Sequence, residues 1–232
     1  MGFLPEAVVN YLGRMGWSMP DESEKFSLSE MQKVFDIQRV SLGGPIFDVE
    51  KLKWLNGVWI REELDLATLA QRLQSWALNE AMLMKVLPHA QGRMEVLSDF
   101  VPLSAYLASG ELPLVTDSFV SLKEPQEETV RRLQFVLWRL EAQRDWGRDA
   151  LFACLKGLSS ELTLKPKELF APLFIAIAGG TSGYSMPDSM AILGPDMTRA
   201  RLRKALDVLG GVSKKALKRL EKEYADLASP AA

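Results

Sequence analysis

His89 is the only histidine in the 232-residue sequence and Cys154 the only cysteine. A Ser-His-Asp or Cys-His relay can be built only around that single imidazole, and a His-rich metal site cannot be built at all, so both classes are nearly excluded. One thiol excludes an internal disulfide and a multi-Cys zinc site. Cys154 lies in the apolar stripe of Leu151, Phe152 and Leu155 and reads as a small buried hydrophobe, since a reactive thiol wants cationic neighbours and exposure. His89 follows Pro88 and reads as a solvated residue at a helix start. Glu62-Glu63 and Glu127-Glu128 are adjacent pairs. Neighbours in a helix point to different faces, so these are first-turn or surface charges rather than a general acid and base. Gly179-Gly180-Thr181-Ser182-Gly183-Tyr184 has the glycine content of a phosphate cradle. It lacks the G-x-x-x-x-G-K pattern and follows a helix-like run instead of a strand. It is a tight turn between helices or a ligand-contacting loop. Between Asp196 and Asp226 stand nine basic and five acidic residues, a local +4 against −6 elsewhere. Such a segment is a solvated helical face or an electrostatic footprint for an acidic polymer.

The elements that must carry these residues read as helices throughout. Pro5 sits in the first turn of a helix, where its missing N–H costs nothing. Val8, Val9, Leu12 and Met15 follow at helical spacing, and Gly16 closes the run. Ser27 and Glu30 form a capping box ahead of Met31, Val34 and Phe35. Ser41 to Pro45 is a loop. Asp48 caps a helix bearing Leu52, Leu55, Val58 and Trp59, and Asp65 caps another through Leu66, Leu69, Leu73 and Trp76. Pro88 restarts the chain, with Met94, Leu97, Phe100 and Leu103 at helical spacing behind it. Periodicity fails from Gly110 to Pro125, which marks a loop or boundary. Val130 to Leu140, Leu151 to Leu162 and Leu169 to Ala178 are three further helices. Thr198 and Ser213 are expected to cap two last ones, and the end from Pro230 is expected to fray. No strand series is present, so the fold class is all-α.

Apolar residues make up 47% and charged residues 25%, the ordinary globular balance, which rules out a mainly disordered or fibrous chain. The length corresponds to one large or two small domains. No apolar run suits a membrane span, and no signal peptide is evident near Met1. The reduced thiol count fits a cytoplasmic setting. Net charge is −2 and the pI near 5.7, which taken alone argues against a nucleic-acid binder.

The order of several segments argues the other way. Gly2-Phe3-Leu4-Pro5-Glu6-Ala7-Val8-Val9-Asn10-Tyr11-Leu12, followed by Met15-Gly16-Trp17-Ser18, resembles the glutamyl-tRNA synthetase family of class I. There this stretch directly follows the Lys-Met-Ser-Lys-type loop. Phe47-Asp48-Val49-Glu50-Lys51-Leu52-Lys53-Trp54-Leu55-Asn56 is similar to the family's Phe-Asp-x-x-Lys-Leu-x-Trp-x-Asn segment. Arg93 to Phe100 resembles its Arg-x-x-Thr-Leu-x-Glu-Phe helix, and Pro172-Leu173-Phe174-Ile175-Ala176-Ile177-Ala178-Gly179 its Pro-Leu-Arg-x-Ala-x-Thr-Gly segment. Pro187, Ile192-Leu193-Gly194 and Arg201 to Leu206 continue the series, so the resemblance covers nearly the whole chain.

The resemblance implies a helical stem-contact region over residues 1–63, followed by an α-helical-cage anticodon-binding region in two parts, 64–120 and 121–232. It implies a parent reaction that joins glutamate to tRNA with ATP and magnesium. The His-Ile-Gly-His-type and Lys-Met-Ser-Lys motifs are absent from this sequence. The Rossmann catalytic domain is therefore expected before Met1. This chain is expected to bind glutamate-accepting tRNA as a monomer, with no catalytic residue, metal or cofactor of its own and no membrane. Anticodon bases are unstacked and can be read on their edges or stacked upon. Arg93 falls on the family's Arg that separates glutamate from glutamine anticodons. Phe174 stands where the family commonly has Arg and can stack but not donate. Met186 precedes Pro187, where a polar residue can contact the anticodon. Thr181 and Tyr184 belong to the loop between, which is longer than in relatives. Lys51, Arg61, Arg199 and Arg201 are phosphate candidates or solvated charges. The rival readings are a helical scaffold that no longer binds tRNA and an autonomous enzyme.

Overall fold

The computed structural model describes residues 1–228. The chain divides into two compact units, one of Gly2–Glu80 and the other from Ala81 onward. Eleven α-helices and a few short 3-10 turns make up its secondary structure, with no strand among the described residues. The fold is all-α, as the periodicity implied.

In the first unit α1 (Pro5–Gly13) packs on α3 (Val49–Glu63), with α2 (Leu28–Val34) between them in sequence and α4 (Leu66–Trp76) after. Each start has a local cause. Pro5 occupies the first turn of α1. The Ser27–Glu30 capping box opens α2. The Asp48 carboxylate accepts the Glu50 and Lys51 N–H groups at 2.9 and 3.1 Å, and Asp65 accepts the Thr68 N–H at 2.7 Å. The core is Leu4, Ala7, Tyr11, Leu52, Leu55 and Trp59. Asn10 is buried in it, and its side-chain oxygen accepts from the Phe26 N–H at 3.2 Å and the Trp59 indole at 3.0 Å. A buried amide kept satisfied in this way ties the segment before α2 to α3.

The second unit holds α5 (Glu80–Ala90), α6 (Phe100–Ala108), α7 (Gln126–Ala142), α8 (Arg148–Glu161), α9 (Pro166–Ala178), α10 (Met186–Val208) and α11 (Lys214–Ala228). Helices α7, α8 and α9 pack around α10, and Leu133, Leu140, Leu151, Leu158, Leu173, Ile177 and Leu202 lie among their facing stripes.

Several local expectations are corrected. Pro88 does not restart the chain; it lies in the last turn of α5, where the helix has only two residues left to run. His89 is accordingly at a helix end. Met94 to Leu103 is not one helix: Met94 and Val96 are extended, Leu97–Asp99 is a 3-10 turn, and α6 begins at Phe100. The Asp99 carboxylate accepts the Glu95 and Val96 N–H groups at 2.8 and 3.0 Å, which holds the chain in a turn. The aperiodic stretch after Gly110 includes a 3-10 segment, Thr116–Leu122. Thr198 caps nothing. It is buried inside α10 with its hydroxyl unpartnered, and the break lies at Gly194, at φ +76° and ψ 174°. Ser213 does cap α11, accepting the Ala216 N–H at 3.2 Å. The expected fraying from Pro230 falls outside the described residues.

Candidate nucleic-acid interface

The loop from Gly179 to Ser185 joins α9 to α10 and carries or adjoins most of the candidate residues. Gly179 ends α9 in the left-handed region at φ +79°, and its N–H returns to the Ile175 carbonyl at 3.0 Å. A residue without Cβ enters that region at no steric cost. Ser185 then caps α10. Between these stops, Tyr184 turns inward. Its hydroxyl lies 2.7 Å from the Ser104 hydroxyl, and its N–H donates to the Tyr106 hydroxyl at 3.3 Å. The Tyr106 hydroxyl is in turn 2.7 Å from that of Ser189. Burial pushes the Tyr106 phenol up, which keeps its hydroxyl protonated at physiological pH.

Arg93 is the exposed residue that this buried network holds in place. It ends the 3-10 turn Gln91–Arg93, and its Nη1 donates to the Gly183 carbonyl at 2.8 Å. Its guanidinium carbon lies 5.4 Å from the centroid of the Tyr184 ring. A guanidinium has five N–H donors in a fixed fork. One carbonyl moors it and leaves the rest facing solvent. Thr181 is exposed on the same loop, while Phe174 is half-buried on α9 and packs against the core.

The other candidates are engaged within the protein. Tyr184 and Met186 are each 1% exposed and Arg201 is 3% exposed, so none offers surface to a ligand in this conformation. The Arg201 guanidinium donates to the carbonyls of Ile177 at 2.5 Å, Tyr106 at 2.6 Å and Gly110 at 3.3 Å, and to that of Ser109. Burial lowers its pKa to about 10, which still leaves it charged at neutral pH. Arg199 donates twice to the Leu140 carbonyl, at 2.8 and 3.3 Å, and lies 5.2 Å from the Trp146 ring. It thus caps the end of α7, a favoured place for a cation. In the first unit Lys51 is paired with Glu24 at 2.7 Å and lies 4.2 Å from the Trp54 ring. Lys51 and Arg14 together hold the Glu24 carboxyl below the usual carboxylate range.

His89, Arg148 and Asp188 gather beside the loop as well. His89 is partly covered, with Nδ1 3.7 Å from an Asp188 oxygen and its ring 5.9 Å from that of Tyr184. Arg148 approaches the other Asp188 oxygen at 3.6 Å. Asp188 also hydrogen-bonds Ser185 and so fixes the start of α10. Nothing in their spacing foretells this cluster, because it joins residues from α5, α8 and α10.

The site is thus an exposed arginine moored beside an inter-helical loop of an all-helical domain. The family described as the anticodon binding domain matches residues 68–206, and the chain belongs to it. The catalytic domain of the class I tRNA synthetases for glutamate and glutamine matches residues 1–54. The particular relatives are glutamate–tRNA ligases. That of Cellvibrio japonicus is 60% identical over 227 residues, covering 98% of this chain and 45% of the relative. That of Saccharophagus degradans is 57% identical over 226 residues, 97% of this chain and 45% of the relative. A solved glutamate tRNA ligase from Elizabethkingia meningosepticum covers 90% of this chain and 42% of its own, with TM-score 0.52 and 22% identity, a likeness of fold. The match is to the C-terminal part of these ligases, the anticodon-binding region preceded by a small piece of the catalytic domain, so that domain does not lie wholly before Met1 as expected; the chain spans about 45% of the length of the curated relatives.

Proposed function

We propose that this chain is the tRNA-recognition portion of a cytoplasmic glutamate–tRNA ligase, and that it binds the anticodon arm of glutamate-accepting tRNA as a monomer. In this reading residues 1–63 face the tRNA stem, and residues 64–120 and 121–232 face the anticodon. The compact units divide at Glu80 and Ala81, and a functional border need not follow a packing border. The observation that carries the reading is Arg93, exposed on a short turn and moored through one donor to Gly183. A guanidinium positioned in this way can meet two acceptors on a base edge. Thr181 supplies a neighbouring hydroxyl, and Phe174 a partly open ring in a place where the family commonly has Arg. Lys51 contributes at most a compensated charge, and Arg199, Arg201, Tyr184 and Met186 support the interface from within.

ATP and magnesium belong to the parent reaction. Among the described residues no group of three or more His, Cys, Asp or Glu side chains could hold a metal, and the sequence carries no phosphate-binding motif. We assign both to the catalytic part of the ligase and route no step of the reaction through this chain.

A binding titration with glutamate tRNA and anticodon-swapped versions tests the reading. Affinity is expected to fall as salt rises, because phosphate contacts release counterions. Arg93→Ala is expected to cost about 1–3 kcal/mol with the cognate anticodon and to flatten the preference among variants. A preference unchanged in Arg93→Ala would remove Arg93 from the assignment. Absence of tRNA binding by the intact chain would leave a helical scaffold.

A further inference from the structure

We propose that the outer face of α11 is a second RNA-binding surface, which grips the sugar-phosphate backbone without reading sequence. The proposal rests on the tRNA-binding reading above and adds to it a separate element with a separate task.

The nine cations of the basic tail divide into two sets. On α10, Arg199 and Arg201 are taken up by backbone carbonyls, Arg203 pairs with Glu141 at 2.6 Å, and Lys204 is exposed. Lys214, Lys215, Lys218, Arg219 and Lys222 on α11 are all exposed or partly exposed, and among the described residues none of the five is ion-paired. At about 100° per residue these five fall within an arc of roughly 140°, which also holds Asp226. The opposite side of the helix is committed to the core. Leu220 is buried, and the Tyr224 ring packs at 5.3 Å against both Phe135 and Trp138. Glu223, at the margin, turns inward and pairs with Arg131.

Glu221, three residues after Lys218, and Asp226, four after Lys222, offset this charge only in part. Lys214 and Lys218, Lys218 and Lys222, and Lys215 and Arg219 are like charges four residues apart, which destabilises a helix. Lys214 and Lys215 also occupy the first turn, where the helix dipole disfavours cations. No acidic residue stands in that turn to offset them. Placement against local preference, with no internal partner, points to a partner outside the chain.

The chemistry of the face selects the kind of partner. A helix that lies in a membrane inserts its apolar side, and here that side is occupied by the core. Base stacking needs an exposed aromatic, and the arc has none. Four of the five cations are lysines, compact point charges suited to phosphate oxygens rather than to base edges. A polyphosphate backbone meets all three conditions, and the chain's family membership makes RNA the polymer at hand.

The test uses the full chain with four substitutions, Lys214→Gln, Lys215→Gln, Lys218→Gln and Lys222→Gln, and a second variant with Arg at the same positions. Glutamate tRNA and anticodon-swapped tRNAs are the probes. The Gln variant is expected to bind about tenfold or more weakly at low salt, by the same factor for every anticodon. Its plot of log affinity against log salt is expected to be shallower by about 0.9 for each phosphate that the variant no longer neutralises. The Arg variant is expected to bind like the parent. Thermal unfolding of the Gln variant is expected at or above the parent's temperature, since like-charge repulsion is relieved. Unchanged affinity and slope in the Gln variant, with anticodon preference intact in the parent, would overturn the grip and leave the anticodon reading standing. Equal weakening in the Arg and Gln variants would overturn it too, since charge would then not be the cause. No tRNA binding by the parent would overturn both.

Discussion

Arg201 spends its guanidinium on the ends of two helices. The Tyr106 and Ser109 carbonyls close α6, the Gly110 carbonyl follows them, and the Ile177 carbonyl lies in the last turn of α9. Helix ends leave carbonyls without partners, and one buried cation serves four of them. Arg201→Met keeps much of the volume but strands those acceptors. Each charged hydrogen bond of this kind is worth about 1.5–3 kcal/mol, so a total destabilisation above about 3 kcal/mol is expected in urea unfolding. Arg201→Lys is expected to recover little of it, because an ammonium cannot span the fork. A destabilisation below about 1 kcal/mol would show that water or relaxation satisfies those carbonyls. Arg93 and Arg201 are the same residue type, and only their surroundings separate a moored, open side chain from an enclosed one. That difference was not legible in the sequence. The resemblance named Arg93, Thr181 and Tyr184; Thr181 and Tyr184 share the loop between α9 and α10, and Arg93 reaches that loop through the Gly183 carbonyl. Whether each points out or in depends on partners 78 to 95 residues away, such as Tyr106 for Tyr184 and for Arg201. No local spacing encodes such pairings.

Helix α10 shows how elements hide their breaks. From the sequence, Thr198 looks like the cap of a new helix. The backbone turns at Gly194 instead, in a region of φ and ψ essentially confined to glycine. A Cβ built there would meet nothing within 4 Å. Gly194→Ala therefore isolates backbone strain from crowding, and a destabilisation of about 1–3 kcal/mol is expected in chemical denaturation. A neutral substitution would mean that the turn at this position is not required. The capped helices were the legible ones: Ser27, Asp48, Asp65 and Ser213 each accept the N–H groups that their positions implied. The segment from Met94 to Phe100 was not legible, because Asp99 competes for backbone N–H groups that a continuous helix would otherwise use. Side-chain hydrogen bonds to nearby backbone offer an alternative to helix that apolar spacing does not register.

At the scale of the whole molecule, a net charge of −2 hides a sorted distribution. Acidic side chains pair with cations throughout the fold, as Glu24 does with Lys51 and Arg14, Glu161 with Arg139, and Glu128 with Arg131 and Arg132. On α11 five cations, Lys214, Lys215, Lys218, Arg219 and Lys222, share one face with no ion pair among the described residues. Bulk charge is thus a poor guide to polyanion binding when cations are concentrated on one helical face. The same sorting bears on catalysis. Activating a carboxylate with ATP needs charge gathered at one point to stabilise a transferring phosphoryl or adenylyl group, together with a metal site. Among the described residues no three His, Cys, Asp or Glu side chains gather to hold a metal, and the single His lies against Asp188 beside Tyr184. The 232-residue chain is therefore expected to give no glutamate-dependent ATP–pyrophosphate exchange above background while still shifting tRNA in a binding assay. Exchange activity in this chain, abolished by substituting His89 or an acidic residue but not by Arg93→Ala, would overturn the assignment of chemistry to another part of the ligase. Absence of exchange together with salt-sensitive tRNA binding is the pattern of a module that positions its RNA and leaves bond-making elsewhere.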